Sequence, residues 1–238
     1  MGATFTVAWR EYASFFRSSI GWLVIALYLF LSGLFASDTI IPGQPATMRD
    51  LFSLSHWLLL IVAPAISMRL LSEELRSGTI ESLMTAPISD WHIVIGKYLA
   101  ALAFLVTMLL PTLAHVGVIE LLASPDYGPI LAGYLGLILV GACYLAVGLF
   151  FSSLTRNQIV AFLSTLFFFV LLAFVSSQNV AVRVDDPLRS LLFGLSINLR
   201  IADFAKGVFD TSHAAFFLAI VVLFVVLSVV GVESRRWR

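Results

Sequence analysis

The chain has 238 residues, of which 60% are hydrophobic and 12% charged, with 20 phenylalanines. A water-soluble globule of that composition could not cover its surface with polar groups, so the composition defines an integral membrane protein. The 14 basic residues balance the 14 acidic ones, which argues against a nucleic-acid binder with its basic stripe, and the single cysteine, Cys143, excludes a disulfide framework or a cysteine-based metal site.

In chain order, Phe5, Ala8, Trp9, Tyr12, Phe15 and Phe16 recur at helical spacing, with Arg10, Ser14 and Arg17 on another face. That pattern predicts an interfacial helix over residues 1–19, lying on the inner leaflet with its aromatics at headgroup depth. Glu11 and two arginines among aromatics do not make a signal peptide of the usual kind. Crossing the hydrocarbon core takes ~20 apolar residues. Six apolar runs meet that need, at 20–36, 51–71, 97–122, 130–154, 158–176 and 214–232. The expected fold is an all-α integral membrane protein with six transmembrane helices in one domain, 1–238. It adds a short cytoplasmic helix between spans 2 and 3 and short outer-face helices between spans 5 and 6.

Within the spans, Pro64 and Pro111 each remove a helix hydrogen bond and are expected to kink spans 2 and 3. His115 and Glu120 lie high in span 3 and are separated by about 140° around the helix, so a shared metal or proton site is not expected. They read as lining a wetted outer vestibule, because intramembrane charge is expensive unless it is used. Gly133, Gly141 and Gly148, with Ala142 and Ala146, form a small-residue face on span 4 suited to close helix packing in lipid. In the loop 177–212, Leu188, Leu191, Leu192 and Leu195 have helical spacing, and a second piece over 198–206 stops at Gly207. Two short helices dipping into the outer leaflet are expected there, as an exit gate or a seat for a periplasmic companion protein.

Orientation follows from Lys and Arg near the span ends. One side holds Arg10, Arg17, Arg69, Arg76, Lys97, Arg156, Arg235, Arg236 and Arg238, and the other holds Arg49, Arg183, Arg189, Arg200 and Lys206. Nine against five predicts that both termini are cytoplasmic. The stretch EELRSGTIESLMTAPIS, from Glu73, then faces the cytoplasm.

That loop, 72–96, is the densest polar segment of the chain. Gly78 weakens the extension of span 2. Thr79 then caps a short helix with Glu81 in its first turn, Pro87 limits that helix to about two turns, and Ser89 caps span 3 with Ile88 and Ile93 spaced as a hydrophobic staple. Glu73, Glu74, Glu81 and Asp90 offset Arg69, Arg76 and Lys97. An anionic leaflet gains little from such a segment, so a protein partner explains it better.

Glu73-Glu74, Gly78-Thr79-Ile80-Glu81, Leu83, Thr85-Ala86-Pro87-Ile88-Ser89 and Gly96-Lys97 resemble the cytoplasmic loop of ABC-2 type transporter permeases. Arg10-Glu11-Tyr12, Phe15-Phe16-Arg17-Ser18, Asp203-Phe204 and Lys206-Gly207-Val208-Phe209-Asp210 are similar to the gliding-motility-type branch of that family. The resemblance implies a permease subunit of an ATP-driven exporter in a bacterial inner membrane. It also implies that Glu73, Glu74, Gly78, Thr79, Ile80, Glu81, Leu83, Thr85 and Pro87 couple it to separate cytoplasmic ATPase subunits, beside a second permease subunit. ATP and Mg would then sit on the partner and no cofactor on this chain. Gly96-Lys97 is no P-loop, because Trp91 stands where the first Gly belongs and Tyr98 where Ser or Thr belongs.

Two alternatives stand beside this reading. One is an intramembrane protease of the prenyl-endopeptidase (CAAX) type. Its Glu-Glu-x-x-x-Arg motif fails here, with Gly78 at the Arg position, and His56 falls at the opposite end of span 2 from the glutamates. The other is a membrane scaffold that transports nothing, which an associated ATPase activity would exclude.

Overall fold

The computed structural model describes residues 2–39, 47–79, 88–122, 125–176 and 194–234. In chain order these form α1 (Ala3–Arg17), α2 (Ser19–Thr39), α3 (Arg49–Ser67), α4 (Ser72–Ser77) and α5 (Asp90–Leu109). A 3-10 turn at Leu110–Thr112 leads into α6 (Leu113–Leu122), then α7 (Tyr127–Leu154), α8 (Gln158–Val175), α9 (Ile197–Ala205) and α10 (Thr211–Glu233). No strand occurs among the described residues. Among the described residues six segments are long and apolar enough to cross a membrane: Ser19–Ala36, Arg49–Ser77, Asp90–Leu121, Tyr127–Leu154, Gln158–Val175 and Thr211–Glu233. The all-α, six-span fold read from the sequence is the fold observed.

The spans depart from their expected outlines in two places. The second is broken over 68–71 between α3 and α4. Pro64 lies inside α3 and has no N–H to give the preceding turn, although Met68 N still donates to the Pro64 carbonyl at 2.9 Å. The third begins at Asp90 rather than at 97, because Lys97, which marked the apolar limit, is buried within the helix. Pro111 sits in the 3-10 turn that divides this span into α5 and α6.

The bundle is organised around α7, which packs against α3, α5, α8, α9 and α10. Apolar burial drives nothing between helices in lipid, so close approach has to come from small side chains. The glycine face supplies it. A Cβ at Gly133 would overlap the Phe52 ring, one at Gly141 would overlap Leu105, and one at Gly148 would overlap the Ser67 side chain. Ala146 is fully buried on the same helix. By contrast, α2, α8 and α10 turn large apolar residues outward, among them Phe30, Phe167 and Val222, as helices facing lipid do.

Two glycines end helices in the left-handed region, where a side chain would be strained. Gly78 (φ 73°) stops α4. Gly207 (φ 86°) stops α9, with Gly207 N donating to the Phe204 carbonyl and Val208 N to the Asp203 carbonyl, both at 3.0 Å, which is a complete Schellman motif. The expected 198–206 helix is therefore present as α9. Most of its predicted companion, at 188–195, lies outside the described residues.

Candidate functional site

Polar groups gather at the two ends of the bundle, one marked by α4 and the other by α9. The α4 end is built from the break after α3. Leu71 N and Ser72 N donate to Ser152 Oγ of α7 at 3.1 and 3.0 Å, and Ser152 Oγ donates to the Met68 carbonyl at 2.9 Å. One hydroxyl thus satisfies backbone groups on both sides of the break and sets the direction of α4, which brings Glu73 and Glu74 into the first turn of a new helix.

From that turn Glu74 reaches α5. Its Oε1 lies 2.9 Å from Lys97 Nζ, and the Lys97 side chain is only 2% exposed. The same ammonium lies 3.3 Å from Glu11 Oε1 of α1, and Arg10 Nη2 closes the group at 2.8 Å from Glu11 and 3.8 Å from Glu74. Gly96 explains how α1 comes so near: a Cβ there would sit 2.8 Å from Val7 Cγ1 and 3.0 Å from the Thr4 carbonyl. The Gly96-Lys97 pair therefore has a mechanical meaning, in which the glycine admits α1 and the lysine binds α1 and α4 to α5. Burial works against the charged form of Glu11, but the Lys97 ammonium, with Arg10 beside it, outweighs that and holds the carboxyl below its ordinary range. Glu74 Oε2 is buried with no hydrogen-bond partner among the described residues.

Further contacts seat α1. Phe15 stacks on Phe104 with ring centroids 4.5 Å apart, Tyr12 Oη lies 2.9 Å from Thr107 Oγ1, and the Arg69 guanidinium covers the Phe15 ring at 4.6 Å while donating to Ser18 Oγ at 3.2 Å. The expected lipid-facing aromatic stripe is thus divided: Phe5 and Trp9 point outward, whereas Phe15 is buried against the bundle. Helical spacing could not separate the two, because the face that meets lipid and the face that meets α5 are both apolar.

The coupling residues named from the sequence also divide. Glu74 turns inward onto Lys97, while Glu73, Gly78 and Thr79 are exposed, with Thr79 Oγ1 lying 2.8 Å from Ser77 Oγ. Ile80, Glu81, Leu83, Thr85 and Pro87, and with them the expected short helix, lie outside the described residues. Ser89 holds the N-cap position of α5 in extended backbone, as expected, but its hydroxyl bonds to His92 Nδ1 rather than to a backbone N–H.

At the α9 end, His115 Nδ1 lies 2.9 Å from the Thr112 carbonyl of its own span, and Glu120 is exposed, interacting with Tyr127. The two are not brought together, and neither lines the cavities described below. Sequence reasoning weighed His56 only against the protease motif and passed over the buried polar group that it forms at this end. His56 Nε2 lies 2.7 Å from Asn198 Oδ1, and the Tyr144 hydroxyl is 3.4 Å from its Nδ1. His213 bridges Arg200 (2.8 Å) and Asp203 (3.2 Å). His56 is thus engaged with Asn198 and Glu74 with Lys97, in separate clusters, which leaves the protease reading without a site. The available signal for Lys97 was the apolar Ile93-Val94-Ile95 ahead of it, which extends the apolar run past its expected start at 97, since a buried ammonium requires carboxylates. Nothing in the Ser152-Ser153 pair announces the role of Ser152.

Six lipid-length helices with polar groups gathered at both ends define a polytopic α-helical membrane protein. The family model described as "ABC-2 family transporter protein" matches residues 5–236, and the chain belongs to that family. It is accordingly a membrane-embedded permease component of an ABC transporter rather than a catalytic subunit. No curated protein matches the chain.

Proposed function

We propose that this chain, acting as one domain over 1–238, is the permease subunit of an exporter of the gliding-motility-type branch. A separate cytoplasmic ATPase, which carries the ATP and Mg, docks on the loop between α4 and α5. The chain pairs with a second permease subunit in a bacterial inner membrane, with both termini cytoplasmic. The observation that carries this reading is the buried Lys97 held between Glu74 and Glu11. It clamps the entry and exit of the loop to each other and to α1, so displacement of the loop passes into α5 directly and into α7 through Ser152, instead of being absorbed at a hinge. ATPase closure would then rock the spans between inward- and outward-open arrangements. Substrate would leave at the α9 end, past the vestibule expected around His115 and Glu120, with the 177–212 loop seating a periplasmic companion.

The test is recovery of the ATPase with tagged chain from membranes. Glu81→Lys reverses a docking charge and is expected to weaken recovery by about 1–3 kcal/mol, with the membrane level of the chain unchanged. Thr79→Pro perturbs the start of the expected coupling helix and should do the same. Wild-type recovery and wild-type ATP hydrolysis with both variants would reduce the loop to a connector.

A further inference from the structure

At the α9 end a cavity of about 360 Å³ opens between α3 and α9, with Arg49, Asp50, Trp57 and Lys206 among its walls and His56 and Asn198 lining it. A second cavity of about 170 Å³ adjoins it and shares Arg49 and Ala205, with Asp126 as its further charge. Three observations give the larger cavity a chemistry. First, Arg49 and Asp50, successive residues of the first turn of α3, both line it, yet neither is ion-paired among the described residues. Among the described residues Lys206 pairs with Asp203 alone, at 3.6 Å and largely exposed. The cavity therefore presents separated charges of both signs rather than a field of one sign. Second, the Asn198 amide spends its oxygen on His56, which leaves its N–H donors for another acceptor. Third, Trp57 is half exposed in the cavity wall, seven residues after Asp50 and on the same face of α3, which sets an aromatic ring on the acidic side of the cavity.

A simple anion would meet Asp50, and a simple cation would meet Arg49 and Lys206. A ligand carrying both charges satisfies all three. We propose that this cavity binds a phosphate–ammonium zwitterion of the phosphoethanolamine type, with the phosphate on Arg49, Lys206 and the Asn198 amide and the ammonium on Asp50 beside the Trp57 ring. Arg49 offers the forked donors that suit phosphate oxygens, and the Trp57 face favours a cation. The assignment is independent of ATPase docking, because none of these residues belongs to the α4 end.

The test uses the full chain in detergent, read by native mass spectrometry after exposure to equal amounts of phosphatidylethanolamine and phosphatidylglycerol. Wild type is expected to retain the zwitterionic lipid about threefold over the anionic one, the worth of one solvent-exposed ion pair. Asp50→Asn is expected to abolish that preference while keeping phosphatidylglycerol bound. Arg49→Gln should lower retention of both lipids, and Arg156→Gln, an exposed residue outside the cavity lining and near the α4 end, should change neither. Thermal unfolding of each variant separates loss of the site from loss of the fold. Soluble phosphoethanolamine that displaces the lipid would assign the site to the headgroup alone, whereas lipid retained against it would assign the site to a membrane lipid. Both results support the proposal. Equal retention of the two lipids by wild type, or an unchanged preference in a folded Asp50→Asn protein, would overturn it.

Discussion

Lys97 is the residue on which the α4 end depends. With its side chain 2% exposed between Glu11 and Glu74, it compensates two carboxylates that would otherwise repel each other out of water. Replacement by methionine keeps the volume and removes the charge, and should destabilise the protein by about 3–5 kcal/mol in thermal unfolding, the usual cost of breaking one partner out of a buried pair. Adding Glu74→Gln to Lys97→Met should restore part of that loss, because the two residues act through one interaction. The pH dependence has a definite sign. A carboxyl held low in the folded state, as Glu11 is, contributes stability that is fully present above the ordinary carboxylate value of about 4.3 and is lost as pH falls through the lower folded value. Melting temperature should therefore fall on acidification below that point, and Glu11→Gln should flatten the slope. The sequence showed Gly96-Lys97 as a motif but not its purpose, because Glu11 read as a polar residue of an interfacial helix. Only the approach of α1 over Gly96 makes it the lysine's partner.

At the scale of elements, Ser152 and the glycine face decide how the helices meet. Ser152→Ala leaves Leu71 N and Ser72 N without an acceptor, at about 1–3 kcal/mol for each abandoned group. The fall should appear in thermal unfolding, together with loosened protection of α4 in hydrogen exchange. Gly148→Ala and Gly133→Ala drive a methyl into Ser67 and Phe52 and should each cost about 1–3 kcal/mol, whereas Gly33→Ala, in the interior of α2 with open space around it, should cost nothing and raise stability by up to about 1 kcal/mol. The spans themselves were legible because long apolar runs have few alternatives. The stop of α9 was legible because glycine readily takes the conformation that Gly207 adopts. The break at 68–71 was not. Met68, Leu70 and Leu71 would continue a helix on composition, and what fixes the break is a hydroxyl from a span far along the chain.

At the scale of the molecule, two polar ends separated by a bundle of glycine-packed spans suit a device that receives motion at one face and changes access at the other. The family fixes the role of membrane component, and in the coupling proposed above the platform of Arg10, Glu11, Glu74 and Lys97 would carry motion of the loop into α5. The most direct test places a photo-cross-linking side chain at Glu81, and separately at Asp126 on the opposite end, in membranes that contain the native partners. The account predicts an ATPase adduct from position 81 that changes in yield when ATP is hydrolysed, and none from position 126. An ATPase adduct from position 126, or none from position 81 in a chain that reaches the membrane at normal level, would contradict it.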